Sequence, residues 1–217
     1  MNKEWSDLNK LMQSQLKKRE TFQEGFQTLF LLRDKLWQEI LSFKKELSNE
    51  QFSLMPFINA TGYHSKSIAY TLWHIFRIED IVVHSLIAKD EQIFFSQNWK
   101  DRIHAPIITT GNELEKEEIR VFSEQLNISE LYHYMEEVYQ NTNQMISELT
   151  FDQLKTSIPK EYKERLVKSK VVSDRASWLI DYWCDKDIRG LIQMPASRHW
   201  IMHVEACLRI EEKIIRR

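Results

Sequence analysis

Only four glycines and four prolines punctuate 217 residues. A fold of many short strands spends glycine and proline at its turns, so a chain this poor in both is pushed towards long uninterrupted elements. Leu, Ile, Glu, Lys and Gln are plentiful, and these side chains lose little freedom in a helix. The sequence therefore predicts an all-α fold. Its length suits a single domain over 1–217, with enough chain to bury a core without staples.

Four segments carry apolar residues at the three- and four-residue spacing of an amphipathic helix. The first covers 21–47, with Phe26, Leu29, Phe30, Leu36, Trp37 and Ile40 on its stripe. Ser48 then reads as the N-cap of a short turn over 49–52. The second covers 65–89, with Thr71, His74, Ile78, Ile81, Val82 and Ser85 on its inner face and Arg77, Glu79 and Asp80 on the opposite one. The third covers 127–149. Asn127 caps it, Glu130 follows three residues on, and Leu131, Met135, Val138, Thr142 and Met145 face inward. The fourth covers 196–215, with Pro195 in a first-turn position and His199, His203, Ala206, Cys207 and Ile210 on one face. Four such helices predict a four-helix bundle.

The connections 90–126 and 150–194 are too long for bare loop. The second is expected to hold minor helices at 160–167 and 175–186, and Gly111-Asn112 marks a turn in the first. The related hexapeptides 47–52 and 149–154 each follow a long helix and read as one helix-ending device used twice.

Thirty basic and 32 acidic residues are interspersed, so no electrostatic footprint for nucleic acid is expected. Two distant cysteines, Cys184 and Cys207, exclude a disulfide scaffold. The amino terminus is polar, and no apolar run approaches the roughly 20 residues of a membrane span. These features predict a reduced, cytoplasmic protein with no membrane partner. They leave a homodimer open as its quaternary state.

His199 and His203 are four apart, one turn on one helix face, so both imidazoles can reach one ion. Trp200-Ile201-Met202 lies between them, so the glutamate of a zincin protease motif is absent. Both histidines fall on a core stripe, as does His74 on another helix. There an unpaired polar group costs free energy. Two readings follow: each histidine hydrogen-bonds separately in the interior, or one divalent metal takes all three. Three protein ligands and an open position are the habit of catalytic zinc. All-nitrogen ligation suits zinc first, and also nickel, iron or copper.

Of the remaining histidines, His84 is rotated off the face of His74, and His64 and His104 fall in connections. His133, beside the inner stripe of the third helix, is the one additional candidate ligand. Cys207 shares the face of His203 and reads as a buried small hydrophobe. Glu79 reads either as a partner behind the metal ligands or as half of a surface pair with Arg77 or Lys89. Arg198 faces an anionic substrate or solvent. Trp73, Trp183 and Trp200 are expected to pack between helices.

The run Tyr70-Thr71-Leu72-Trp73-His74-Ile75-Phe76-Arg77-Ile78-Glu79-Asp80 resembles the first histidine motif of the DinB/YfiT-like superfamily. Met194-Pro195-Ala196-Ser197-Arg198-His199, followed by His203 and Glu205-Ala206, resembles its final-helix motif. The resemblance spans nearly the whole chain. It implies a four-helix bundle with one metal held by His74, His199 and His203. Members of that superfamily include bacillithiol S-transferases and a mycothiol-dependent maleylpyruvate isomerase. The resemblance thus implies a low-molecular-weight thiol and a small electrophile as reaction partners. A non-catalytic metal-binding or stress-response module and a metal-assisted hydrolase are the alternatives.

Overall fold

The computed structural model describes residues 2–216, and every regular element among them is helical. The only β-type pairing among them is an isolated bridge between Ser157 and Asp187. No helix among the described residues is long and apolar enough to cross a membrane.

The first helix, α1 (Lys3–Gln15), is one the apolar pattern did not announce. Asn2 caps it by accepting from the backbone N–H groups of Glu4 and Trp5 at 3.0 and 3.3 Å. Within it only Trp5 and Met12 are buried, too few to make a stripe. It lies antiparallel to α2 (Phe22–Glu46): Glu4 pairs with Lys35 at 2.9 Å, and Gln15 accepts from Thr28 at 2.7 Å. Gly25 makes this close approach feasible, since a Cβ there would stand 2.7 Å from Leu16 Cδ2.

Ser67 caps α3 (Ile68–Val82) by accepting from the Tyr70 N–H at 3.0 Å, and a π-turn over Val83–Ala88 prolongs it. All fifteen residues of α3 are buried. A helix enclosed on every side has no solvent face to balance its apolar one. Arg77, Glu79 and Asp80, expected on an outer face, are fully buried.

The connection 90–126 contains α4 (Ile93–Ser96), α5 (Trp99–Ile103) and α6 (Glu117–Gln125). α7 (Ile128–Ser147) begins at the expected cap, with Asn127 accepting from the Glu130 N–H at 3.2 Å. The connection 150–194 holds α8 (Lys160–Ser169), α9 (Trp178–Cys184) and α10 (Ile188–Gln193). The first two match the expected minor helices in position. A π-turn over Met194–Arg198 then carries the chain without a break into α11 (His199–Ile215).

Pro195 therefore does not start a helix. It sits inside a continuous helical path, and the wider turn accommodates its missing N–H and its ring. The paired hexapeptides do share one device. The Ser48 N–H donates to Gln51 Oε1 at 2.8 Å, and the Thr150 N–H donates to Gln153 Oε1 at the same distance.

Helices α2 and α3 each contact both α7 and α11. The charges along α3 tie these helices together. Glu79 receives both terminal nitrogens of Arg33 from α2, at 2.7 and 2.9 Å, and the indole N–H of Trp200 from α11 at 2.7 Å. Arg33 also donates to Asn143 of α7 at 2.7 Å and to the Ala196 carbonyl in the second π-turn at 3.0 Å. Further along, Asp80 receives the Ile93 and Phe94 N–H groups and the Tyr134 hydroxyl at 2.8–3.0 Å, while Arg77 reaches Asp80 and Gln92. Each buried charge thus has its partners, the condition under which burial is tolerated.

Candidate metal centre

His74 projects from the middle of α3, and His199 and His203 occupy the first turn and a half of α11. Their ring centroids lie 5.0 Å apart for His74 and His199, 4.9 Å for His74 and His203, and 4.4 Å for His199 and His203. One ring nitrogen from each falls within 4.8 Å of the other two. All three side chains are buried. The three side chains that the sequence puts on inner stripes thus meet in the structure, because spacing and stripe position both bear on where they point.

The tautomer of His74 follows from its neighbour. Its Nδ1 lies 2.9 Å from the Thr110 carbonyl oxygen, which can only accept, so Nδ1 carries the proton and Nε2 the lone pair. That lone pair points at His199 Nε2, 3.2 Å away. Two nitrogens bound to one tetrahedral zinc at about 2.0–2.1 Å would lie about 3.3–3.4 Å apart. The observed spacing is close to that edge, and it is also the length of a hydrogen bond from a His199 Nε2–H to the His74 lone pair.

Each neutral imidazole presents one lone pair and one N–H. The Nδ1 atoms of His199 and His203 have no hydrogen-bond partner among the described residues. Among the described residues, the hydrogen bonds of the trio are those of His74 to the Thr110 carbonyl and between His74 and His199. The residues present therefore fit a single divalent cation, which would take three lone pairs at once.

The electrostatics keep all three rings neutral. Burial pushes the His74 pKa down to about 4, with the Lys66 ammonium adding to the effect and the Thr110 carbonyl opposing it. Burial holds His199 and His203 well below their ordinary value, and each feels the positive charge that protonating a neighbouring histidine would create. Neutral imidazole is the ligating form.

The loop carrying Thr110 is fastened along α3 by three side chains. Tyr70 donates its hydroxyl to the Gly111 carbonyl at 2.9 Å, His74 donates to Thr110, and Arg77 Nε donates to the Ile108 carbonyl at 2.9 Å. Gly111 is required twice over. Its φ of +77° is a left-handed conformation, and a Cβ would meet Tyr70 Cε2 at 2.9 Å. Tyr70 also stacks on His74, with ring centroids 5.7 Å apart and planes at 10°. Tyr63 meets His203 edge-on at 4.8 Å.

The trio forms one wall of a pocket of about 230 Å³. The other walls are mainly Ile78 of α3, Met194 and Pro195 of the π-turn, Met202, and the α9 residues Trp178, Leu179, Tyr182 and Trp183. A centre at the wall of a pocket can admit a further ligand.

No protein-family model matches this chain. No curated protein matches it either.

The remaining candidates separate cleanly from the trio. His133 is exposed on α7 and faces Glu130 at 3.4 Å, so it is no ligand. His84 is buried and pairs through Nδ1 with Asp90 at 2.7 Å. Cys207 is fully buried in the core, where burial pushes its thiol pKa up, and it stands outside the histidine group. Arg198 is exposed. Glu79 is neither a surface partner of Arg77 or Lys89 nor a hydrogen-bond partner of a histidine. It holds Trp200, the residue after His199, and Arg33, which holds Ala196 three residues before His199. Trp73, Trp183 and Trp200 pack in the interior as expected, and Trp183 also lines the pocket. Sequence reading missed Arg33, although it lies on the α2 stripe. It also missed the carbonyl of Thr110, which no side-chain pattern could indicate.

Proposed function

We propose that this protein is a metal-dependent enzyme of the DinB/YfiT type, a four-helix bundle that transfers a low-molecular-weight thiol to a small electrophile. The observation that carries the reading is the convergence of three neutral imidazoles on the wall of a 230 Å³ pocket. A structural zinc commonly has four protein ligands and no open position, whereas three ligands beside a pocket suit a reaction centre. The motifs around His74 and around His199 and His203 support the family reading.

A divalent ion held there would supply Lewis acidity that favours the thiolate over the thiol near neutral pH. His74, His199 and His203 would hold the ion, and Thr110 would fix the orientation of His74 through its carbonyl. The apolar walls would pack against the electrophile. In the transfer the thiol proton passes to solvent, a carbon–sulfur bond forms, and the leaving group departs with the electrons of its own bond. No Asp or Glu lines the pocket, and a thiol bound to the ion needs no such base for its own activation. The sulfur comes from solution, because Cys207 is sealed in the core and Cys184 does not line the pocket.

The test is turnover of several physiological thiols against a panel of electrophiles, using zinc-loaded and chelator-stripped protein. The expected result is a rate that needs metal, is lost in His74→Ala and survives Cys184→Ala. If no thiol exceeds the metal-free control, the transferase reading fails.

A further inference from the structure

The pocket beside the histidines also carries information about what enters it. Leaving the histidines aside, its lining contains no Asp, Glu, Lys or Arg. Burying an ammonium against such walls would cost free energy with no charged partner to offset it, and a carboxylate would find a charged partner only in an ion held by the trio. The volume of about 230 Å³ exceeds the roughly 150 Å³ of an apolar cavity that takes up benzene, and so suits one ring with small substituents.

Three of the seven residues of α9 are aromatic and line this space: Trp178, Tyr182 and Trp183. Trp183 is buried, but Trp178 is 59% exposed and Tyr182 37%. Trp178 and Tyr182 stand together, with ring centroids 6.3 Å apart and planes at 63°. Large aromatic surface left open to water beside a pocket is the usual mark of a binding site. Lys186 Nζ lies 3.8 Å from the Tyr182 ring centroid and covers one face of that ring, which leaves the Trp178 ring and the other Tyr182 face and edge as surface for an incoming ring.

We propose that the pocket takes a small, uncharged aromatic molecule, seated between the α9 aromatics and the histidine trio, and that Trp178 and Tyr182 set this preference. The inference rests on reading the trio as a reaction centre and names the chemical class of its electrophilic substrate. The polar thiol then approaches from the open side rather than filling this pocket.

The test uses para-cresol as a neutral ring probe and benzoate as its charged counterpart. Binding to the full chain is followed by the indole N–H signals in ¹H–¹⁵N NMR spectra, with and without zinc. Trp178→Ala and Tyr182→Ala remove exposed side chains, so both variants should fold, and their spectra verify that they do. In metal-free protein, para-cresol should shift the Trp178 and Trp183 signals. It should bind at least about tenfold more tightly than benzoate, and either variant should weaken it by about the same factor. Equal affinity for benzoate, or unchanged affinity in both variants, would overturn the inference. Zinc stoichiometry on the same samples reports on the centre separately. A protein that holds zinc but ignores para-cresol overturns the substrate class alone. One that binds para-cresol as described but holds no zinc supports the pocket and overturns the centre.

Discussion

His74 is the most constrained of the three histidines. Its Nδ1 is committed to Thr110, Tyr70 stacks on its ring, and its Nε2 faces His199. Its burial has a consequence for acid stability. A histidine whose folded pKa lies below its unfolded value of about 6.5 is protonated first in the unfolded chain. Stability is therefore complete above about pH 6.5 and drains away as pH falls towards the folded value of about 4. His74 alone should contribute a slope of about 1.4 kcal/mol per pH unit within that window. Urea midpoints of metal-free protein at pH 7.5 and pH 5 measure this, with His74→Gln as reference. A drop no larger in wild type than in the variant would show that His74 is not neutral and buried. At His203 the expectation divides differently. His203→Ala should lose nearly all bound metal yet keep the helical circular dichroism of the wild type, because the surrounding core is built from apolar contacts. Retention of about one metal equivalent would remove His203 from the ligand set.

At the scale of elements, the device that places two of the histidines is the π-turn between α10 and α11. Arg33 donates to the carbonyl of Ala196 within it, and Glu79 holds both Arg33 and Trp200. Arg33→Met should cost about 3–5 kcal/mol, because Glu79 is left charged and unpaired in the interior. It should also weaken metal binding by roughly 10–100-fold, the range typical of lost support behind ligands. Adding Glu79→Leu should recover most of the stability, because a packed apolar pair can replace a buried ion pair at little net cost. Equilibrium unfolding of the single and double variants checks this. An Arg33→Met protein as stable as wild type would contradict the network. These elements were unevenly legible in the sequence. The four long helices show their periods plainly, and Asn127 even shows its cap. α1, α4, α5 and α6 bury too few residues each to form a readable stripe. The start of α11 was misplaced because proline normally marks a first turn, and no local signal distinguishes a proline held inside a π-turn.

The whole molecule depends on α3 being enclosed. Its fifteen buried residues contact the helices on every side, and its charges serve as internal connectors. This is why an amphipathic reading failed for Arg77, Glu79 and Asp80. Periodicity assumes a solvent face, and a central helix has none. The same enclosure explains why the trio was legible. Three histidines on inner stripes must meet inside the molecule, and His199 and His203 share one helical face. What spacing could not convey is the pocket, since its far wall comes from α9, in a connection of otherwise irregular pattern. The proposed chemistry stands on the trio acting together on one ion. The most direct measurement is elemental analysis of wild-type protein purified without a nickel column, beside His74→Ala prepared in the same way. About one divalent metal per chain in the wild type, and little in the variant, is the predicted result. A wild-type protein that carries no metal and takes up none from micromolar zinc would contradict it.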